Sequence, residues 1–217
     1  RGNARSVLGR YADAIADGEK GLGIAGNGGD PLLKQRLRGF VALQKQSVGD
    51  LKTAVEMFQQ MIRETQNVRG MGGHIFSASR NIMQALILSG DIVQAEGYLR
   101  RMQAYLTDVR TSGIPQKREA YNVRGRSWEA DFESGRATIF EARGLYREAE
   151  AAYRKAADYR KAWVPDLKKF DYAPKESYVL QVADADLLNA ARMKGKQGRL
   201  AEAEVDARGV LLTRLKV

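Results

Sequence analysis

Five times along this chain a glycine is followed two residues on by a large side chain, and three residues after that by alanine. The copies read GRYADA from Gly9, GDLKTA from Gly49, GDIVQA from Gly90, GLYREA from Gly144 and GRLAEA from Gly198. The glycines lie 40, 41, 54 and 54 residues apart. A period of this order is the mark of stacked supersecondary units. After each large residue, small or apolar residues return three, seven and ten or eleven positions later. Examples are Leu51, Ala54, Phe58, Met61 and Ile62, then Tyr146, Ala149, Tyr153, Ala156 and Ala157, then Leu200, Ala203, Ala207, Val210 and Leu211. That spacing is one face of an α-helix. In the first copy Gly18 and Gly21 take two of the apolar slots.

Each glycine also follows a helical pattern. Before Gly90 this holds Ile82, Ala85, Leu86 and Leu88. The unit is therefore helix, glycine turn, helix. A glycine just past a helix end can adopt the left-handed conformation that stops the helix. The region from Gln116 to Arg143 reads as one long helix or as two pieces broken near Gly125, since an interior glycine costs about 1 kcal/mol.

These residues resemble the tetratricopeptide repeat (TPR) family. Gly144, Tyr146, Ala149, Tyr153 and Ala156 carry the likeness most fully, with Gly49, Leu51, Ala54 and Phe58 next. The periods exceed the family's usual length of about 34 residues. The longer period and the wording GRYADAIADGEKGLGIA and GLYREAEAAYRKAADYRKAW resemble arrays that precede caspase-like CHAT peptidase domains in bacteria, and kinesin-light-chain-type arrays. The resemblance implies an all-α, right-handed α-solenoid of about five repeats. Their approximate bounds are 1–29, 30–73, 74–114, 115–174 and 175–217. It implies a non-enzymatic scaffold for a protein or peptide, without a cofactor.

Composition agrees with that class. The chain has 217 residues, 44% hydrophobic and 29% charged, ordinary for a globular protein. No apolar run reaches the length of a membrane span. Cysteine is absent, which excludes disulfides, thiolate metal sites and a cysteine nucleophile. The compartment stays open; the cytoplasm is the expectation. The formal charge of +10 favours acidic partners, whether peptide, phosphate or nucleic acid. A basic nucleic-acid-binding helical repeat is therefore the alternative to the protein scaffold.

Two glycine-rich stretches test a third reading, a nucleotide site. Gly21, Gly23 and Gly26 have the G-x-G-x-x-G spacing of a dinucleotide-binding turn. The required context is a strand before and a helix after. Here a helix of about Arg10 to Ile24 precedes, and the next helix starts only at Asp30-Pro31, an N-cap aspartate followed by proline at the first helical position. The stretch reads as an inter-repeat loop. RGMGGHIF, Arg69 to Phe76, could form an anion nest but reads as a second such connection.

Other chemistry-bearing residues also have plain structural readings. His74 is the only histidine and lacks partners suited to zinc. Glu129, Asp131 and Glu133 could do acid/base work in a cleft, but charges on a helix usually form a solvated face. Lys168, Lys169 and Lys175, interleaved with Phe170 and Tyr172, suit single-stranded nucleic acid, yet read as an ordered connecting loop whose aromatics plug a groove between repeats. Trp128 and Trp163 read as core. No catalytic or metal residue is expected.

The resemblance places binding residues on the first helix of each repeat, on the concave face. In the third repeat these are Ser77, Arg80, Asn81 and Gln84; in the second, Arg36 and Lys45, with Arg38 near the margin. In the fifth, Asn189, Arg192 and Lys196 form an i, i+3, i+7 stripe. Asp131, Ser134 and Thr138 interrupt the positive trend in the fourth. Arginine and asparagine suit carboxylates and backbone amides, so the expected ligand is an extended or acidic protein segment. The last helix crowds Val210, Leu211, Leu212, Leu215 and Val217 into one stretch, and Val7 and Leu8 look like the stub of a first helix. A chain cut from a longer protein is the expectation, with an exposed apolar patch on the final helix. A further domain of the same chain or a second copy would cover it.

Overall fold

The computed structural model describes residues 2–26, 30–68, 70–169 and 174–215. Among them are ten α-helices and no strand. In chain order they are α1 (Gly2–Val7), α2 (Tyr11–Gly26), α3 (Pro31–Ser47), α4 (Leu51–Thr65), α5 (Gly72–Leu88), α6 (Ile92–Thr111), α7 (Pro115–Ala142), α8 (Tyr146–Trp163), α9 (Glu176–Lys196) and α10 (Leu200–Leu215). A 3-10 helix, Val164–Lys169, follows α8. The chain divides into two compact units, Arg1–Arg101 and Met102–Val217.

The five repeat glycines make the five hairpin turns, and all have left-handed backbones. Gly9, Gly49, Gly90, Gly144 and Gly198 have φ between 73° and 84°. Each turn closes with the same hydrogen bond, from the amide after the glycine back to a carbonyl five residues earlier. Asp50 donates to Lys45 at 2.9 Å, Asp91 to Leu86 at 2.8 Å, Leu145 to Phe140 at 2.9 Å and Arg199 to Lys194 at 3.1 Å. This is the Schellman closure, which uses otherwise orphaned carbonyls at the helix end. An L side chain in that conformation costs about 1–2 kcal/mol, which explains why glycine recurs there. In two turns the next residue starts the following helix: Asp50 accepts from the Thr53 amide at 3.3 Å and Asp91 from the Gln94 amide at 3.0 Å.

In the first unit, α1 packs on α2, α2 on α3, α3 on α4 and α4 on α5. Ala14, Val41, Ala54, Phe58, Phe76 and Ile82 are fully buried there. The GLGIAG stretch is not the expected loop, because α2 runs through Gly26. Two glycines of α2 serve packing, Gly21 within the stretch and Gly18 just before it. A Cβ on Gly18 would stand 2.5 Å from Val41 Cγ2, and one on Gly21 would stand 3.3 Å from Leu37. Helix α3 thus approaches α2 so closely that a side chain at Gly18 would collide with Val41 and one at Gly21 would crowd Leu37. Asp30 caps α3 as expected, accepting from the Leu32 amide at 2.9 Å. His74 lies half-buried in the first turn of α5, since that helix begins already at Gly72.

In the second unit, α7 packs on α8, α8 on α9 and α9 on α10. The buried seam is small: Ala137, Ala149, Ala152 and Ala190, with Tyr153 and Met193 filling the larger gaps. Alanine holds the helix axes close and has the best intrinsic helix propensity. Helix α7 is one piece of 28 residues, with no break at Gly125. A Cβ at Gly125 would lie 2.8 Å from the Tyr121 ring, so the missing side chain gives that ring its place along the helix. Trp128 is buried and meets Tyr105 edge-on at 5.3 Å between centroids. Trp163 is half-buried, and its indole N–H donates to the Val123 carbonyl at 3.0 Å.

The carboxylates of α7 correct a second expectation. Glu133 and its neighbours are not a solvated face, because α8 packs over them and supplies cations. Glu133 is 2% exposed and pairs with Lys155 and Arg136, both at 2.7 Å. Asp131 and Asp186 share Arg160, at 3.0 and 2.8 Å, and Ser134 donates to Asp186 at 3.1 Å. Glu129 accepts from the Tyr121 hydroxyl at 3.0 Å. Leu167 of the 3-10 helix is buried and Lys168 is exposed; Phe170 and Tyr172 lie outside the described residues.

Candidate partner-binding site

In the first unit α3 and α5 stand side by side, with α4 behind them. Between them opens a groove of about 290 Å³. Gly39, Phe58 and Met61 form its apolar floor, and Arg36, Ser77 and Asn81 line its polar wall. Three of the eight residues expected to bind a partner are thus gathered around one depression. The reason is helical spacing. On α3 the residues Arg36, Gly39, Phe40 and Leu43 follow at i, i+3, i+4, i+7, and on α5 His74, Ser77 and Asn81 do the same at i, i+3, i+7. Gly39 deepens the floor, since it lets Met61 come within 3.4 Å of where a Cβ would stand.

The side chains differ in availability. Arg36 is exposed. Ser77 is exposed and donates to the Gly73 carbonyl at 3.0 Å, a bond that water or a ligand can replace. Asn81 is buried, with its side-chain oxygen 3.4 Å from the guanidinium of half-buried Arg80. Gln84 is exposed one turn further along α5, beyond the groove. Arg38 points inward; it is buried and bonds Glu64 at 2.5 Å. Burial lifts the Glu64 carboxyl, but hydrogen bonds from Arg38 and Gln35 and the charge of Arg38 outweigh it and hold the group below its ordinary range. Lys45 pairs with Glu19 at 3.5 Å.

In the second unit Asn189, Arg192 and Lys196 form one stripe on α9, but a carboxylate from α7 lies on it. Glu141 accepts from Arg192 at 2.8 Å and from Lys196 at 2.9 Å. Arg192 also donates to Asn189 at 3.1 Å, and the Lys196 ammonium lies 5.2 Å from the centre of the Tyr146 ring. Burial raises the Glu141 carboxyl, yet the hydrogen bonds and charges of Arg192 and Lys196 prevail and hold it low. Two cations on one anion leave a single net positive charge, less than the sequence pattern suggests. Ser134 and Thr138 are drawn into the α7 contacts and present no open polar face: Ser134 bonds Asp186, and Thr138 bonds the Ser134 carbonyl at 2.9 Å.

A larger groove, about 670 Å³, lies between α8 and α10 over α9. Leu180, Leu187, Val205 and Val210 give it apolar walls. Its rim is internally neutralised, with Arg154 on Asp206 at 2.5 Å and Arg214 on Asp184 at 3.0 Å. Sequence reading missed it because its walls come from three helices, and ordinary core spacing labels each of them. Among the described residues no group of three or more histidines, cysteines or carboxylates is arranged to hold a metal. No described helix is long and apolar enough to cross a membrane.

No protein-family model matches the sequence, and no curated protein matches it either. Solved structures do. The chain is similar to BtubC (BKLC) from P. vanneervenii, at 13% identity and a TM-score of 0.67, over 99% of this chain and 77% of that one. It is also similar to a putative kinesin light chain of Podosopora anserina with nearly identical TPR-like repeats, at 15% identity and a TM-score of 0.60, over 99% of this chain and 92% of that one. A single-substitution form of that protein gives a TM-score of 0.58 at the same identity and coverage. The fold is therefore an all-α, TPR-type repeat of the solenoid class.

Proposed function

We propose that the chain is a non-enzymatic interaction scaffold that holds an extended, acidic segment of a partner protein on its first helices. The observation that carries this is the α3/α5 groove, where an apolar floor meets Arg36, Ser77 and Asn81. Such a groove suits an apolar side chain flanked by a carboxylate, with Asn81 placed for a backbone amide. Among the described residues no ion pair engages Arg36, so its guanidinium is available to that carboxylate. The resemblance to arrays that precede bacterial CHAT domains suggests that the partner is another domain of the same chain, in the cytoplasm. The exposed apolar face of α10 suits a second contact, with a further domain or another copy.

The basic charge does not by itself favour nucleic acid. Arg154, Arg160, Arg192 and Arg199 are all spent on internal carboxylates. Phosphate binding at these four arginines would have to break those pairs.

The test is a peptide array that varies one acidic and one apolar position, with hits measured by fluorescence anisotropy. Acidic, apolar peptides are expected to bind. Arg36→Glu is expected to weaken them roughly ten- to a hundredfold, the range of a lost charge-assisted hydrogen bond. An array without hits, or hits indifferent to Arg36→Glu, would count against the reading.

A further inference from the structure

Helix α10 carries an exposed ridge that complements itself when reversed: its ends are both leucine and its two central charges are opposite. Residues four apart on a helix form one ridge. Here that ridge is Leu200, Glu204, Arg208 and Leu212. The two leucines are 69% and 58% exposed. The two charged side chains are largely exposed and bond each other at 2.6 Å. Apolar residues flank the ridge, with Val205, Leu211 and Leu215 also exposed. So much apolar surface on one helix is unusual for a chain without a partner on it.

We infer that α10 pairs antiparallel with α10 of a second copy, about a two-fold axis level with Asp206. This rests on the reading of α10 as a contact surface and commits it to one occupant. The argument is complementarity within the ridge. An isologous interface must match a surface to itself, so each residue meets the one equally far from the axis on the other side. In this register Leu200 meets Leu212 of the partner subunit, and Glu204 meets Arg208 of the partner subunit. Ala201 meets Leu211 of the partner subunit, a small residue against a large one. The two Glu–Arg pairs close into a square of alternating charge, enclosed by leucine at both ends. A parallel pair would instead set Glu204 against itself and Arg208 against itself. The ridge thus specifies direction as well as contact.

Sedimentation equilibrium on the full 217-residue chain tests this, with three forms compared. The wild type is expected to reach twice the mass of one chain. Glu204→Arg makes the central charges all positive and Arg208→Glu makes them all negative. Each variant alone is expected to raise the dimer Kd at least about a hundredfold, as like charges meet. Mixed in equal amounts, the two are expected to form a heterodimer, because Arg now faces Glu at both positions. Circular dichroism of each variant checks that the fold is intact. A wild type that stays monomeric to about 100 µM overturns the inference, as does a mixture of the two variants that does not associate. Binding of acidic peptides to the α3/α5 groove, measured on the same variants, separates this outcome from the scaffold reading. Those peptides should bind unchanged when α10 is altered.

Discussion

Replacing Arg160 with methionine is expected to lower the free energy of unfolding by about 3–5 kcal/mol, the usual result when one partner of a buried ion pair is removed. Arg160 holds Asp131 and Asp186 together among α7, α8 and α9, and all three side chains are largely buried. Without the guanidinium, Asp131 and Asp186 lose the cation they share, in a largely buried setting. The deficit should depend on pH. Burial already lifts the Asp186 carboxyl above its ordinary value, against the opposing charge and hydrogen bonds of Arg160. Loss of Arg160 lifts it further. The folded variant then binds protons more readily than the unfolded chain, so its stability rises, relative to wild type, as pH falls from neutral toward the ordinary aspartate value. Urea unfolding of both proteins at a series of pH values checks the sign. A deficit that grows on acidification would show that the carboxylates are not its source. Adding Asp131→Asn and Asp186→Asn to the variant should return much of the loss.

Phe58→Ala is expected to cost about 3–5 kcal/mol, the range for deleting a buried aromatic ring. Phe58 of α4 is 1% exposed and also forms part of the groove floor between α3 and α5. Truncation should therefore weaken peptide binding along with stability, whereas Arg36→Glu should change binding alone. Thermal unfolding and anisotropy on the two variants separate these effects. A variant at Phe58 that loses less than about 1 kcal/mol would mean that the ring does not support the core as described.

The repeat architecture was legible because its signals are local. The five turns need a left-handed residue, and only glycine takes that conformation without strain. The alanine and aromatic spacing follows directly from which helix face is buried. What spacing could not show was long-range pairing. Glu141 lies on α9 cations that are 51 and 55 residues away, so the α9 stripe looked more basic than it is. Glu133 and Asp131 looked solvated because Lys155 and Arg160, which pair with them, come from α8, in the other arm of the hairpin. The glycine-rich end of α2 looked like a loop because glycine is a poor helix former; for Gly18 and Gly21 the reason is the approach of Val41 and Leu37 from α3. Arg36, Ser77 and Asn81 line one depression because each faces the same way on a first helix. The groove itself was not legible, since Gly39 and Met61 carry no binding signal in sequence.

The central claim is that a partner's acidic segment lies between α3 and α5. Amide chemical-shift mapping, with the strongest peptide from the array titrated into isotope-labelled protein, tests it most directly. The account predicts perturbations centred on Arg36, Gly39, Ser77 and Asn81. Shifts confined to α8, α9 and α10, with α3 and α5 unmoved, would contradict it.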